Sequence, residues 1–256
     1  MSFYKYQGTG NDFIIIDNRA LFFPKSNSVL ISNLCDRHYG IGADGLILLE
    51  NDKNSDFKMV YFNADGNEST MCGNGGRCIV AFAQQLQLFD KKSSFLAIDG
   101  IHHATIDTNS VSLQMIDVSK VCISENSIFV NTGSPHHIEI VDDIDNFPVI
   151  EQAKKIINCN YSTEGCNINF VEQLNDTTFK VRTYERGVED ETLACGTGAT
   201  AVAIAMHKIN KTNNNHIKLK VLGGDLEVKF TAKQDSYSNI VLSGSAQFVF
   251  KGTINL

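Results

Sequence analysis

Two cysteines in this chain of 256 residues each open a short glycine-rich segment. Residues 72–76 read CGNGG and residues 195–199 read CGTGA. Small and apolar residues with helical spacing follow both segments, so Cys72 and Cys195 are each predicted at the N-terminus of a helix. The helix dipole and the unpaired backbone N–H groups stabilise negative charge there and lower the pKa of a thiol. Both cysteines are therefore candidates for acid–base or nucleophilic chemistry.

The glycines that follow each cysteine indicate a second property of the helix starts. Because they have no side chains, Gly73, Gly75, Gly196 and Gly198 let a small anion approach the backbone N–H groups closely, as carboxylates and phosphates do at other helix N-termini. Each cysteine is therefore expected beside a site for a carboxylate or a phosphate.

An internal repeat relates the two cysteine segments. Their offset is 195 − 72 = 123 residues, and two other pairs of segments share it. Residues 9–10 (TG) correspond to residues 132–133 (TG), and residues 42–44 (GAD) correspond to residues 165–167 (GCN). Several matches at one offset predict that the chain consists of two related halves.

The same order of elements is predicted in both halves. Short apolar or alternating segments bounded by turn residues predict strands, and apolar residues three to four positions apart predict helices. In the first half we predict strands at 13–17, 46–49, 57–62, 94–98, 103–107 and 111–116, and helices at 30–38 and 72–88. In the second half we predict strands at 137–141, 167–171, 178–183, 217–221, 226–230 and 239–248, and a helix at 196–207.

These elements predict an α+β protein with two pseudo-symmetric domains, residues 1–116 and 117–244. Each domain is expected to be a mostly antiparallel sheet wrapped around a central helix, and residues 245–256 could pack back onto the first domain. A pseudo-two-fold axis would bring the two helix starts together. The active site is therefore expected in the cleft between the domains.

Composition and the N-terminus argue against several classes of protein. Lys and Arg number 22 against 29 Asp and Glu, and a net charge of −7 argues against a nucleic-acid binder. No apolar run approaches the roughly 18 residues that a membrane helix needs. Residues 1–7 lack the apolar core of a signal peptide. We therefore expect a cytoplasmic protein with no nucleic-acid or membrane partner.

Five further cysteines are predicted to be small, buried packing residues: Cys35, Cys78, Cys122, Cys159 and Cys166. The odd total of seven cysteines and the lack of an export signal argue against a disulfide framework. The sequence has no Cys-x-x-Cys pair and no histidine pair at zinc spacing, so no metal site is expected.

Two opposed acid–base groups suit the inversion of a stereocentre. One thiolate would remove the Cα proton of an amino acid from one face, while the other thiol protonates the carbanion from the opposite face. The N–H groups at the helix starts would hold the α-carboxylate and stabilise the charge that moves onto it.

Longer stretches around both cysteines resemble the diaminopimelate epimerase family. Residues 63–77 are similar to the family's signature around its first cysteine, and residues 185–187 with 191–198 are similar to its second. Residues 8–13 and 133–136 occupy the family's other expected places, and the resemblance runs from residue 5 to beyond 240. It implies a cofactor-independent epimerase that interconverts LL-2,6-diaminopimelate and the meso form, for lysine and peptidoglycan biosynthesis.

The resemblance also implies roles for individual residues. Cys72 and Cys195 would be the two acid–base thiols, and a homodimer is an oligomeric state that the family allows. The carboxylate at the reacting carbon would be held by Gly73, Asn74, Gly196 and Thr197. The rest of the substrate, mostly its distal amino-acid end, would be bound by Asn11, Asn63, Asn167, Glu185 and Arg186. His136 and Glu185 would modulate protonation of the thiols. From the residues alone, His136 could equally be a surface or turn histidine, because Pro135 precedes it.

The chain departs from the family's pattern at several positions. Ser134 stands where the family often has Asn, and Gly45 stands where some members have Gln, so neither is placed in the site. Asn67 replaces a commoner Ser, and Glu189-Asp190 is a two-residue extension. None of these differences touches the thiols.

Two glycine patterns also fit other functions. Residues 40–45 match the G-x-G-x-x-G pattern of a dinucleotide site, and residues 196–201 match its Ala variant. The first pattern lies between a helix and a strand, which is the reverse of the required order, and no buried strand precedes the second. A phosphate-binding loop is excluded because no Gly-Lys-Ser/Thr follows the glycines.

Proteins of the same fold remain as alternatives. A non-catalytic binding protein would be expected to lose a thiol, and a phenazine-pathway isomerase would not keep paired cysteines. A proline racemase-like enzyme uses two cysteines but would not need Glu185 and Arg186 for a second amino-acid head group. The alternative function is thus a related racemase or isomerase that acts on another small amino acid.

Overall fold

The computed structural model describes residues 1–108 and 110–255 of the chain. Packing divides the chain into two compact units. The first consists of Met1–Leu113 with Gly244–Leu256, and the second is Gln114–Ser243.

The first unit is a sheet packed around one buried helix, α2. Its elements in chain order are β1 (Ser2–Gly8), β2 (Asn11–Asp17), α1 (Ser28–Cys35), β3 (Gly45–Glu50), β4 (Phe57–Asn63), α2 (Gly73–Gln85), β5 (Lys92–Ala97), β6 (Gly100–Asp107) and β7 (Ser110–Gln114). Strands β1–β2, β3–β4, β5–β6 and β6–β7 pair antiparallel, whereas β2–β3 and β4–β5 pair parallel. Helix α2 packs against β1 to β4 and β6.

The second unit repeats this plan around helix α4. Its elements are β8 (Val121–Ile123), β9 (Ile128–Asn131), β10 (Pro135–Ile140), α3 (Val149–Asn160), β11 (Asn167–Gln173), β12 (Thr178–Glu185), β13 (Asp190–Thr192), α4 (Gly196–Lys208), β14 (His216–Val221), β15 (Gly224–Lys233) and β16 (Ser236–Ser245). Strands β10–β11 and β12–β14 pair parallel, and β9–β10, β11–β12 and β14–β15 pair antiparallel. Helix α4 packs against β9 to β12, β14 and β15.

The last strand of the chain returns to the first unit. Strand β17 (Gln247–Thr253) pairs antiparallel with β1, so that Ser2 lies opposite Thr253 and Gln7 opposite Gln247. Residues near the C-terminus thereby extend the sheet that begins at the N-terminus.

The central helices reproduce the offset found in the sequence. Helix α2 spans 73–85 and α4 spans 196–208, and both ends differ by 123 residues (196 − 73 and 208 − 85). The parallel pair β2–β3 has its counterpart in β10–β11, and the parallel pair β4–β5 in β12–β14. The two units therefore share their order of elements as well as their strand directions.

The prediction of a two-domain, sheet-rich α+β protein with few helices is confirmed. Strands β1, β8, β9 and β13 were not predicted, and two further details were wrong. Helix α3 was not predicted, although Val149, Ala153, Ile156 and Ile157 have helical spacing and pack in a core of the second unit. The strand predicted at 239–248 is divided at residue 246 between β16 and β17. Among the described residues, no helix is both long and apolar enough to cross a membrane.

Candidate active site

Cys72 and Cys195 occupy the same position at the start of their helices. Each is the N-cap residue with an extended backbone, at φ −87° and ψ 130° for Cys72 and φ −116° and ψ 112° for Cys195. The carbonyl of Cys72 accepts from the N–H of Gly76 at 2.7 Å, and that of Cys195 accepts from Ala199 at 2.9 Å. The first N–H groups of each helix consequently point toward the cysteine end, where they can bind an anion.

In the first unit, a row of polar side chains leads to the sulfur of Cys72. The Sγ atom lies 3.8 Å from Oδ1 of Asn11, and the same oxygen accepts from Nδ2 of Asn74 at 3.3 Å. The Nδ2 group of Asn11 donates to Asp44. Asp44 accepts only, so the amide of Asn11 is oriented with its oxygen toward Cys72 and Asn74.

Arg77 places a buried positive charge one turn into α2. Its side chain is fully buried, and it donates to the carbonyl of Gly73 at 3.2 Å, to Oδ1 of Asn74 at 2.9 Å and to the carbonyl of Ser245 at 3.3 Å. It also donates to the hydroxyl of Thr9. Burial lowers the pKa of Arg77, but a guanidinium stays charged at physiological pH. This cation favours negative charge near the start of α2.

A set of ion pairs holds Asp44, which accepts the hydrogen bond from Asn11. Asp12 is 2.7 Å from Lys5 and 2.7 Å from Arg37, and Arg37 is also 2.7 Å from Asp44. Burial would raise the pKa of Asp12, yet the hydrogen bonds from Arg37 and Lys5 outweigh it and lower the pKa to about 2. Asp12 is therefore ionised at neutral pH and holds the basic groups beside Asp44.

In the second unit, hydroxyl and imidazole groups surround the sulfur of Cys195. Sγ lies 3.5 Å from Oγ1 of Thr197, which in turn lies 3.0 Å from Nε2 of His136. The backbone of Thr197 is held by Thr132, whose hydroxyl donates to the Thr197 carbonyl at 2.9 Å. Cys195 is 7% exposed.

His136 is neither a surface nor a turn residue. It lies in β10, its side chain is fully buried, and Pro135 merely begins that strand. Burial, with a smaller contribution from the positive charge of Arg186, lowers the pKa of His136 to about 3. The imidazole is therefore neutral at physiological pH, and it contacts Thr197 through one nitrogen and Asn169 through the other.

The structure links Asn167 and Arg186 on the second unit. Oδ1 of Asn167 accepts from the backbone N–H of Arg186 at 3.0 Å, and its Nδ2 donates to Oγ of Ser134 at 3.2 Å. Arg186 donates to the carbonyl of Glu164 at 3.0 Å. Arg186 is exposed.

Gly165 makes room for Arg186. A Cβ at Gly165 would lie 2.8 Å from Cδ of Arg186, and Gly165 has φ +67°, which L-residues with side chains rarely adopt. Glu185, at the end of β12, accepts a hydrogen bond from the hydroxyl of Thr192. Ser134 accepts a hydrogen bond from Asn167, and Glu185 is hydrogen-bonded to a residue of the neighbouring strand β13.

Asn63 stands at the end of β4 with an exposed side chain. It lies opposite Gly45 on β3, and Gly45 lies opposite Phe13 on β2. A Cβ at Gly45 would be 2.6 Å from the ring of Tyr61. The space that a longer side chain would need at position 45 is consequently filled by that ring.

Most of the other cysteines are packing residues. Cys35, Cys78 and Cys166 are buried, and burial raises the pKa of each thiol, to about 12, 12 and 11 respectively. Cys122 is half-buried. The prediction was wrong for Cys159, which is exposed at the end of α3.

Arg77 and Asn169 were not among the predicted site residues. Arg77 lies inside the 63–77 signature, so its position directly after the glycines is a signal in the sequence. Asn169 has no comparable signal, because its contacts arise only when β10, β11 and β12 pair. Within the part of the chain that the structure describes, no group of three or more His, Cys, Asp or Glu could hold a metal ion.

Comparison with known proteins gives this site its context. The family model described as "Diaminopimelate epimerase" matches residues 3–119 and 128–249. A diaminopimelate epimerase from Flavobacterium psychrophilum is 60% identical over 256 residues, covering 99% of this chain and 100% of that protein. One from Chlorobaculum tepidum is 41% identical over 259 residues, covering 97% of this chain and 99% of that protein.

The fold is shared more widely than the sequence. A phenazine biosynthesis protein of the PhzF family from Bacillus anthracis superposes with a TM-score of 0.74 at 14% identity, covering 100% of this chain and 99% of that one. That likeness concerns the fold alone. Because the family model covers nearly the whole chain and a full-length relative is 60% identical to it, the chain belongs to the diaminopimelate epimerase family.

Proposed function

We propose that this chain interconverts LL-2,6-diaminopimelate and meso-2,6-diaminopimelate, with Cys72 and Cys195 as the two acid–base groups and no cofactor. The observation that carries the proposal is the pair of equivalent helix starts, each with a cysteine as its N-cap residue, in a member of this family. Neither thiol alone could serve both faces of one carbon, so two are needed.

The reaction exchanges one proton for another at Cα. One cysteine, as a thiolate, takes the Cα proton, and the electron pair of the broken C–H bond is delocalised toward the α-carboxylate. The other cysteine, as a thiol, then gives its proton to the opposite face of the same carbon. The first cysteine ends as a thiol and the second as a thiolate, and a reverse turnover or solvent exchange restores them.

The helix starts stabilise the charge that develops in this step. The N–H groups of Gly73-Asn74 and Gly196-Thr197 are proposed to bind the carboxylate at the reacting carbon, with the positive ends of both helices adding to the field. Donors of this kind typically contribute about 3 kcal/mol each to the stability of a transition state. The buried charge of Arg77 acts in the same direction at the first helix.

The remaining polar residues are proposed to bind the distal amino-acid end of the substrate. Arg186 suits a bidentate contact with the distal carboxylate, and Glu185 suits the distal ammonium. The amides of Asn11, Asn63 and Asn167 would add directional hydrogen bonds. His136 and Glu185 are proposed to act on the protonation of the thiols.

Three further features belong to the proposal. The product would serve lysine and peptidoglycan synthesis, the enzyme would work in the cytoplasm, and a homodimer would be its assembled form. The proton transfers described above do not depend on them.

A substrate comparison tests the proposed function. Purified, reduced protein in a chelating buffer without added pyridoxal phosphate should convert LL-diaminopimelate to the meso form, as followed by chiral chromatography. Proline should not react, and 2-aminopimelate, which lacks the distal ammonium, should react much more slowly. Racemisation of proline or another small amino acid without conversion of diaminopimelate would favour the alternative, a related racemase of the same fold.

A further inference from the structure

A chain of buried and partly buried hydrogen bonds crosses three neighbouring strands and ends at Cys195. It begins at Thr183 on β12, passes through Asn169 on β11 and His136 on β10, and reaches Thr197 in the first turn of α4. The side chains of Asn169 and His136 are fully buried, and Thr183 is 4% exposed. Each donor–acceptor distance from Thr183 to Thr197 lies between 3.0 and 3.2 Å.

The amide of Asn169 has a fixed orientation. Its Nδ2 donates to the carbonyl of His137 at 3.0 Å, and a carbonyl can only accept. Its Oδ1 accepts from the hydroxyl of Thr183 at 3.0 Å. Thr183 lies directly opposite Asn169 in the antiparallel pair β11–β12, so the strand register sets this contact.

The orientation of Asn169 selects one tautomer of His136. Nδ2 of Asn169 faces Nδ1 of His136 at 3.2 Å as a donor, so Nδ1 must carry the lone pair. The imidazole is neutral because burial lowers the pKa of His136 to about 3. Its single hydrogen is therefore on Nε2, and that N–H donates to Oγ1 of Thr197 at 3.0 Å.

The last link determines which way the hydroxyl of Thr197 points. Because Oγ1 accepts from His136, its own hydrogen is available for Sγ of Cys195, 3.5 Å away. We propose that Asn169 is a positioning residue that fixes this chain, so that the Thr197 hydroxyl donates to the Cys195 sulfur and stabilises it as a thiolate. This inference rests on the proposed role of Cys195 as an acid–base group.

A glycine in α4 leaves space for the positioning residue. A Cβ at Gly198 would lie 2.6 Å from Oδ1 of Asn169 and 3.3 Å from Sγ of Cys195. Any larger residue would push the amide away from its partners. The lack of a side chain at Gly198 therefore leaves space for the amide of Asn169, in addition to leaving the backbone N–H groups open to an anion.

Other charged and titratable groups lie on the same strands or act on the same histidine. The positive charge of Arg186 acts on His136, and Glu185 lies at the end of β12. His137, also on β10, is hydrogen-bonded through Nδ1 to the hydroxyl of Tyr161 at 3.0 Å and through Nε2 to the carboxylate of Glu139 at 2.9 Å.

Alkylation of individual thiols tests the proposal without substrate. Reduced protein is treated with iodoacetamide at a series of pH values, and the modification of each cysteine peptide is followed by mass spectrometry. The pH midpoint of each profile reports the thiol–thiolate equilibrium independently of accessibility. In Asn169→Leu and in Thr197→Val we expect the midpoint of Cys195 to rise by about 1 pH unit, because a donor to the thiolate is lost.

Two comparisons separate this role from a structural one. Thr197→Ser keeps the hydroxyl and should keep the midpoint of Cys195, and the midpoint of Cys72 should be unchanged in every variant. If Asn169→Leu fails to fold, the pair Thr197→Val and Thr197→Ser gives the same comparison on a half-exposed residue. An unchanged Cys195 midpoint in Thr197→Val, or an equal shift at Cys72, would overturn the proposal. If the variants show the expected shifts but the unsubstituted protein fails to epimerise diaminopimelate, the proposed function is contradicted and the role of Asn169 is not.

Discussion

The start of α2 lies beside a buried guanidinium, whereas the start of α4 lies beside a buried, neutral imidazole. Position 77 and position 200 are equivalent in the repeat (77 + 123 = 200), and Arg77 in one half corresponds to Thr200 in the other. The hydroxyl of Thr200 donates to the carbonyl of Gly196 within its own helix, at 2.9 Å. The two halves keep the cysteine and the backbone N–H groups but differ in how negative charge is stabilised next to them.

The hydrogen bonds at the two sulfurs also differ in direction. Asn11 presents an amide oxygen to Cys72, and this oxygen can only accept, so the contact favours a protonated thiol. Thr197 presents a hydroxyl to Cys195, and the chain from Asn169 orients it as a donor. At Cys72 the buried cation of Arg77 opposes a local acceptor, while at Cys195 a local donor faces the sulfur. The two halves of the repeat thus share the cysteine and the helix start, while the groups around each cysteine differ.

Loss of either cysteine should have the largest effect. We expect Cys72→Ser and Cys195→Ser each to lower kcat by roughly 1,000-fold or more, since a positioned acid–base group typically contributes about 100- to 10,000-fold. Conversion of LL-diaminopimelate, followed by chiral chromatography, gives the measurement. Cys159→Ser is the matched control on an exposed cysteine and should retain full activity. Near-normal activity in Cys72→Ser or in Cys195→Ser would contradict the proposal that both thiols are needed.

Replacement of Arg77 should affect the first half alone. Arg77→Met leaves the carbonyls of Gly73 and Ser245 without their donor, so we expect a loss of roughly 2 to 4 kcal/mol in the free energy of unfolding. The alkylation midpoint of Cys72 should rise while that of Cys195 stays constant. Thr200→Val, at the equivalent position, is the control and should move neither midpoint. A shift of both midpoints in Arg77→Met would show that the two helix starts are not independently supported.

Replacement of Arg186 should change binding more than chemistry. Arg186→Lys loses the bidentate geometry but keeps the charge, and we expect KM for diaminopimelate to rise about 10-fold with kcat nearly unchanged. Arg19→Lys, a surface residue paired with Asp17, serves as the control. A loss confined to kcat would place Arg186 at the reacting centre, and not at the distal carboxylate.

The two halves should also lose stability in different ranges of pH. Folding lowers the pKa of His136 from its ordinary value of 6.5 to about 3, so the neutral form is stabilised by folding and the unfolded chain binds the proton first. Stability should fall as the pH drops from 6.5 toward 3, by at most about 1.4 kcal/mol per pH unit. For Asp12, whose pKa falls from 3.8 to about 2, the loss begins only below pH 3.8.

Hydrogen exchange can separate these two ranges. Peptides from β10 and β11 should lose protection at a higher pH than peptides from β1 and β2. His136→Asn should abolish the loss of protection between pH 6.5 and 3 and leave the loss of protection below pH 3.8 unchanged. Simultaneous loss of protection in both units at all pH values would argue against this assignment.

Much of the fold could be predicted because it depends on local patterns and on the repeat. The helices predicted at 72–88 and 196–207 are observed at Gly73–Gln85 and Gly196–Lys208. Helix α3 was missed although its apolar residues have helical spacing and its counterpart α1 lies at the same offset: residues 28–35 correspond to 151–158. The repeat itself therefore predicts a helix at the position of α3.

The supports of the site could not be predicted in the same way. The contact between Asn169 and Thr183 depends on the register of two strands, and a shift by one residue would turn both side chains to the other face of the sheet. The burial of His136 depends likewise on α4 packing against β10. Spacing along the chain identifies residues that share a helix start, but it does not encode pairing across strands.

Transfer of solvent deuterium tests the two-base account most directly. LL-diaminopimelate is incubated with the reduced enzyme in heavy water, and the isotope content of substrate and product is followed at early times by mass spectrometry. Because one thiol removes the proton and the other, equilibrated with solvent, supplies its replacement, the meso product should carry one deuterium at the inverted carbon while recovered LL-substrate stays unlabelled. Equal labelling of recovered substrate and product, or a product without deuterium, would contradict the account.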